Sequence, residues 1–153
     1  MTTVSTCLLF DTEAEEAARF YVGLVPGSSL DRVSRPAPER PALLVEFRLA
    51  GTAWSALNWS QPVPRGPGVS VVLRTTNQAE CDRIWAGHLA HGGTEQMCGR
   101  LTDRWGIAWQ IFPEGMDDLL FGGTPQQNER AFACTMGQRK IDMAAIAAAR
   151  QGV

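Results

Sequence analysis

The sequence predicts an α+β fold in which one strand–helix–strand unit is used twice. Three observations predict it. First, a β-prone run precedes an amphipathic helical segment at two places: residues 4–10 before 14–25, and residues 69–74 before 77–91. Second, a shift of 64 positions lays Leu9, Thr12, Glu16, Arg19 and Gly23 on Leu73, Thr76, Glu80, Arg83 and Gly87, with Phe20-Tyr21 falling on Ile84-Trp85. Chance supplies about one or two identities in a window of ~20, so the match points to an internal repeat. Third, residues 61–68 hold three prolines and two glycines, and the pattern restarts after them.

Within the first copy, the strand 4–10 stops at Asp11, and Thr12 and Glu15 have the spacing of a capping box for the helix that follows. Ala14, Ala17, Ala18, Tyr21 and Val25 recur at helical spacing, and Pro26-Gly27 ends the helix. Residues 30–34 form a short strand, 35–41 a proline-rich loop and 42–50 a strand whose Glu46 and Arg48 share a face with Leu44. Gly51-Thr52 turns the chain into a further strand, 53–60. In the second copy Asn77 and Glu80 have capping spacing, Gly92-Gly93 ends the helix, and 95–101 and 106–112 read as strands. Residues 124–151 are helical in composition, opened by Thr124-Pro125 in N-cap and N1 order.

Composition narrows the function classes. The 153 residues suit one domain, about 70% of whose unfolded surface is buried without help from disulfides or metal. Net charge is −2, with seven charges of each sign in residues 1–75 and seven basic against nine acidic in 76–153. No basic stripe is present to neutralise phosphates, so nucleic acid is not an expected partner. No apolar stretch approaches the ~20 residues that span a bilayer, and residues 1–10 lack the pattern of a secretion signal, so a cytoplasmic protein is expected. Cys7, Cys81, Cys98 and Cys134 lie far apart with no CxxC pair and are expected as reduced thiols.

Several segments together resemble the vicinal-oxygen-chelate superfamily, the group of glyoxalase and bleomycin-resistance proteins, and within it the PhnB-like branch labelled 3-demethylubiquinone-9 3-methyltransferase-like. They are Ala17-Ala18-Arg19-Phe20-Tyr21, Leu44-Val45-Glu46-Phe47-Arg48-Leu49-Ala50-Gly51, Ala56-Leu57-Asn58, and Gln78-Ala79-Glu80-Cys81-Asp82-Arg83-Ile84-Trp85. The most specific run is Cys98-Gly99-Arg100-Leu101-Thr102-Asp103-Arg104-Trp105-Gly106-Ile107-Ala108-Trp109-Gln110-Ile111-Phe112-Pro113. Lys140-Ile141-Asp142-Met143-Ala144-Ala145-Ile146 is similar to the family's C-terminal tail. The resemblance implies two βαβββ modules, near residues 4–61 and 68–113, whose curved mixed sheets form a ligand-holding cup, followed by a helical tail over 115–152. It also implies a homodimer.

Metal-dependent members of the superfamily hold a divalent ion with His and Glu from four strands. Carried over by the resemblance, those positions fall near Thr6, Asn58, Ser70 and Gln110, none of which supplies a carboxylate or imidazole. His88 and His91 sit together on the second helix, where a solvated pair without a third ligand is expected. The expected site is therefore metal-free and without a cofactor. Asn58 and Gln110 offer amides to a ligand. Trp54, Trp59 and Trp109 either line the site as aromatic platforms or fill the core. Cys98 is a further contact, with a buried strand thiol as its other reading. Asp103 is expected to fix the turn before Gly106.

The function these residues imply is the binding of a small organic molecule. The alternative is an enzyme with a site not recognised in the sequence: a lyase, isomerase, dioxygenase or the methyltransferase of the family label. A methyltransferase of the doubly wound class needs a glycine-rich first βα turn, and neither Gly66-Pro67-Gly68 nor Gly92-Gly93 follows a strand and opens a helix.

Overall fold

The computed structural model describes all of residues 1–153. The chain divides into two compact units, Met1–Pro64 and Arg65–Val153, and the division falls inside the proline- and glycine-rich stretch. The first unit runs β1 (Thr6–Phe10), α1 (Ala14–Leu24), β2 (Ser29–Ser34), β3 (Leu44–Leu49) and β4 (Thr52–Asn58). The second repeats that order with β5 (Val71–Thr75), α2 (Gln78–Ala90), β6 (Thr94–Glu95), β7 (Arg100–Thr102) and β8 (Ala108–Pro113). Each unit makes one four-stranded mixed sheet, in the order β1-β4-β3-β2 and β5-β8-β7-β6. In both, the first and last strands pair in parallel and the remaining pairs are antiparallel. Identical topology is the structural counterpart of the 64-residue repeat, and α1 and α2 begin 64 positions apart.

In each unit one sheet face is covered by the helix. Ala14, Ala17, Ala18 and Tyr21 make the buried stripe of α1, over Phe10, Val45, Phe47 and Ala56. Cys81, Ile84, Trp85 and His88 make that of α2, over Leu101, Trp109 and Ile111. Because side chains alternate along a strand, the intervening residues occupy the other face, here termed the open face. The β3–β4 hairpin closes through Ala50 (φ 46°) and Gly51 (φ 82°), two successive left-handed residues that suit the strand twist.

The two helices start differently. Asn77 caps α2 as expected, its Oδ1 accepting from Glu80 N at 2.9 Å while the Glu80 carboxylate accepts from Thr76 N at 2.7 Å. Asn77→Ala is expected to cost about 1 kcal/mol in a urea titration. The Thr12–Glu15 capping box does not form. The Glu15 carboxylate is engaged by Arg19 and Arg35, and Ala14 N instead donates to Asn58 Oδ1 at 2.9 Å, 44 residues away.

Residues 95–101 are not one strand. Cys98 (φ 62°) and Gly99 (φ 70°) are both left-handed, so the chain folds back between β6 and β7, and Gln96 N donates to Arg100 O at 2.8 Å. The tail is three helices rather than one region: α3 (Met116–Phe121), α4 (Pro125–Met136) and α5 (Met143–Gln151). Thr124 and Gln127 form a full capping box on α4, and Asp142 caps α5. A small core of Met116, Leu120, Ala131, Ile141 and Ile146 joins them. Gln78 of α2 ties the tail down, donating to Ile141 O at 2.7 Å and accepting from Met143 N at 3.0 Å. No helix is long and apolar enough to cross a membrane.

Candidate functional site

Register decides which predicted residues reach an open face. In the second unit Gln110 pairs with Val72 on one side and Arg100 on the other, so these three point away from α2. Gln110 Nε2 donates to Ser70 Oγ at 2.6 Å, which brings together two of the four positions carried over from the superfamily. Beside them lies a cavity of about 400 Å³, within the size range of small-molecule sites. Arg100, Thr102 and Ala108 line it from the sheet, Ser70 and Arg65 to Pro67 from the segment before β5, and Gln96 and Gly106 from two turns. Gln110 stands behind Ser70 and fixes the hydroxyl.

In the first unit the parity is the opposite of that expected. Thr6 pairs with Trp54 and Phe10 with Asn58, and all four share the face of the fully buried Ala56, beneath α1. Cys7, Leu9, Ser55 and Leu57 hold the open face instead. Asn58 is buried and its amide serves the backbone: Oδ1 accepts from Ala14 N, and Nδ2 donates to Ala42 O at 2.7 Å and Thr12 O at 3.1 Å. It borders a second cavity of about 300 Å³ with Asp11, Arg40 and Ser60, but as the pin of that corner rather than a free amide.

The tryptophans separate in the same way. Trp109 is 1% exposed and Trp54 half-buried beside Phe47, so both serve the core, although Trp109 also reaches the cavity wall. Trp59 is 55% exposed just beyond β4 and lines neither cavity. Cys98 is half-buried in the β6–β7 turn, not in a strand. Its N donates to Gln138 O at 2.7 Å and its Sγ lies 3.3 Å from Met136 Sδ, so it anchors the tail and does not line the cavity. Glu46 and Arg48 form cross-strand ion pairs with Arg32 and Asp31 on the first sheet's open face.

Asp103 does what its position in the sequence suggests, with one addition. Oδ1 accepts from Trp105 N and Ile107 N, both at 2.9 Å, and Oδ2 accepts from Trp109 Nε1 at 3.0 Å. Gly106, at φ 84°, completes the turn, and a Cβ there would lie 2.8 Å from Arg65 Cγ. Arg65 Nε donates to Trp105 O at 3.0 Å. The turn thus carries the loop that forms one wall of the cavity. Arg65, Arg100 and Thr102 were not predicted as site residues. Arg100 lies within the family-like run, but only the β7–β8 pairing shows that it stands beside Gln110.

His88 and His91 are not a solvated pair. His88 is 1% exposed with its ring centroid 4.7 Å from that of Trp109. Burial, reinforced by His91, lowers its pKa to about 4. His88 is therefore neutral in the fold, whereas the unfolded chain takes up its proton below about pH 6.5. Its contribution to stability is complete above pH 6.5 and is lost as pH falls towards 4, by up to about 3 kcal/mol. Urea midpoints measured across that range should fall with acidification, and His88→Leu should flatten the slope.

No three His, Cys, Asp or Glu side chains come together in a group that could hold a metal ion. Ser70 and Gln110 carry neutral oxygens and nitrogens, while Thr6 and Asn58 lie on the helix-covered face. The residues do not fit the divalent ion of the superfamily, and no step is routed through one.

The profile of the 3-demethylubiquinone-9 3-methyltransferase family matches residues 2–112. The chain belongs to this PhnB-like family. Its match ends before α3, so Lys140–Ile146, which resembles a family tail in sequence, lies outside the matched segment. Solved structures of PhnB and glyoxalase-like proteins share its fold. A PhnB protein from Bacillus cereus superposes with a TM-score of 0.67 at 22% identity, covering 73% of this chain and 99% of that one. A glyoxalase/bleomycin resistance protein from Albidiferax ferrireducens gives 0.53 at 18% identity, covering 73% and 98%. The fosfomycin resistance protein FosX from Mesorhizobium loti gives 0.53 at 8% identity, covering 72% and 89%. At these identities the likeness is one of fold. Comparison with curated proteins finds no match.

Proposed function

We propose that this PhnB-like chain binds a small organic molecule, without a metal ion, in the cavity on the open face of the β5–β8 sheet. The observation that carries the reading is the cavity of about 400 Å³ lined by the polar residues Arg100 and Thr102 of β7 and by Ser70 just before β5. Such a site can orient and hold a ligand. It offers no nucleophile–base pair: Cys98 is docked on the tail, and His88 lies on the opposite face under α2. Methyl transfer, which the family description names, has less support. Neither βα turn, residues 11–13 or 76–77, contains a glycine that would let a nucleotide-like cofactor approach the backbone.

The test is a fragment screen by thermal shift, run with and without a chelator and repeated on Ala108→Phe, which fills the cavity. Hits should survive the chelator and disappear in the variant. Hits that need a divalent ion, or that persist in Ala108→Phe, would contradict the reading. The reading also takes the protein as a homodimer, by analogy with the family, and light scattering is expected to give twice the chain mass.

A further inference from the structure

Four arginines lie on strands: Arg32, Arg48, Arg74 and Arg100. The first three each meet a carboxylate, Glu46, Asp31 and Asp117 respectively. Arg100 meets none, and it is the one that lines the 400 Å³ cavity. A second guanidinium, Arg65, enters from the loop, and no aspartate or glutamate lines the space. Glu95, the nearest carboxylate along the strand order, is engaged by Trp85 and Arg139. Arg100 thus brings a positive charge to the cavity wall without a carboxylate beside it, in a chain whose net charge is −2.

The hydroxyls favour the same kind of ligand. Ser70 Oγ accepts from Gln110 Nε2 at 2.6 Å, and Thr102 Oγ1 accepts from Gln96 Nε2 at 2.7 Å. Each hydroxyl, already accepting from an amide, has its own proton to donate. Guanidiniums and donor hydroxyls suit an oxyanion, and a planar guanidinium matches carboxylate or phosphate oxygens two at a time.

We infer that the ligand of this cavity carries an anionic group, a carboxylate or a phosphoryl group, received by Arg100 with the Ser70 and Thr102 hydroxyls. This rests on the binding reading above and specifies the ligand class. The test titrates the intact protein with benzoate, inorganic phosphate and neutral benzamide, following amide chemical shifts by NMR. Benzoate or phosphate should shift the amides of Ser70, Thr102 and Ala108, and benzamide should bind at least about tenfold more weakly, because hydrogen bonds to a charged group are the stronger ones. The tighter of the two anions tells an organic acid from a phosphoryl ligand. Arg100→Gln should lose at least about tenfold in anion affinity, while Arg32→Gln, on the first sheet, should bind as the parent does. Benzamide binding as tightly as the anions, or an unchanged affinity in Arg100→Gln, would overturn the inference and leave the binding reading standing. No shift at those amides with any of the three probes would overturn both.

Discussion

Asp103→Ala is expected to destabilise the second unit by about 4 kcal/mol. The carboxylate is 5% exposed and accepts three hydrogen bonds, from Trp105 N, Ile107 N and Trp109 Nε1. Hydrogen bonds to a charged group contribute about 1.5–3 kcal/mol each and do not add fully, so the loss of three falls near that figure. The substitution leaves the Trp109 indole without its acceptor and frees the turn on which Arg65 rests, so anion binding should weaken along with stability. Asp103→Asn should not rescue it, because one of its two terminal atoms becomes a donor facing donors. Urea unfolding followed by tryptophan fluorescence measures the effect. A loss below about 1 kcal/mol would mean that the turn is held by its backbone bonds alone.

Asn58→Ala should cost about 3 kcal/mol while leaving ligand affinity unchanged. Its amide joins three backbone segments: the start of α1 at Ala14, the Thr12 carbonyl and the Ala42 carbonyl. At about 1 kcal/mol net for each neutral bond, and more where a buried partner is left unsatisfied, the sum is of that order. The effect separates two roles for one residue. A ligand-binding amide would lower affinity with little change in the unfolding midpoint, and a structural pin does the reverse. Paired urea and binding titrations on the same variant decide between them.

Asn58 shows how far local pattern reaches in this chain. The repeat, the boundary near residue 65, the α2 cap and the Asp103 turn were legible because each depends on residues within a few positions of one another. Asn58 was not, because its partners Ala14 and Ala42 lie 44 and 16 residues away. A strand alternates with period two, so an error of one position in register moves a residue to the opposite face. The register of Gln110 was set by the adjacent Asp103–Gly106 turn and placed it on the open face, whereas Thr6 and Asn58 had no such anchor. The His88–Trp109 contact joins a helix face to a strand face, and no periodicity in either element predicts it. Arg100 carries no local signal for a related reason: its carboxylate-free setting is visible only against the paired Arg32, Arg48 and Arg74.

Ligand recognition in this PhnB-like chain is proposed to proceed through Ser70, Arg100 and Thr102 without a metal ion. The most direct check is the metal content of the untagged protein after exposure to Fe, Ni, Mn and Zn ions followed by dialysis, because the residues at the superfamily's ligand positions are neutral. No ion should be retained, and benzoate or phosphate affinity should be the same with and without a chelator. A tightly held ion at one per chain would contradict it.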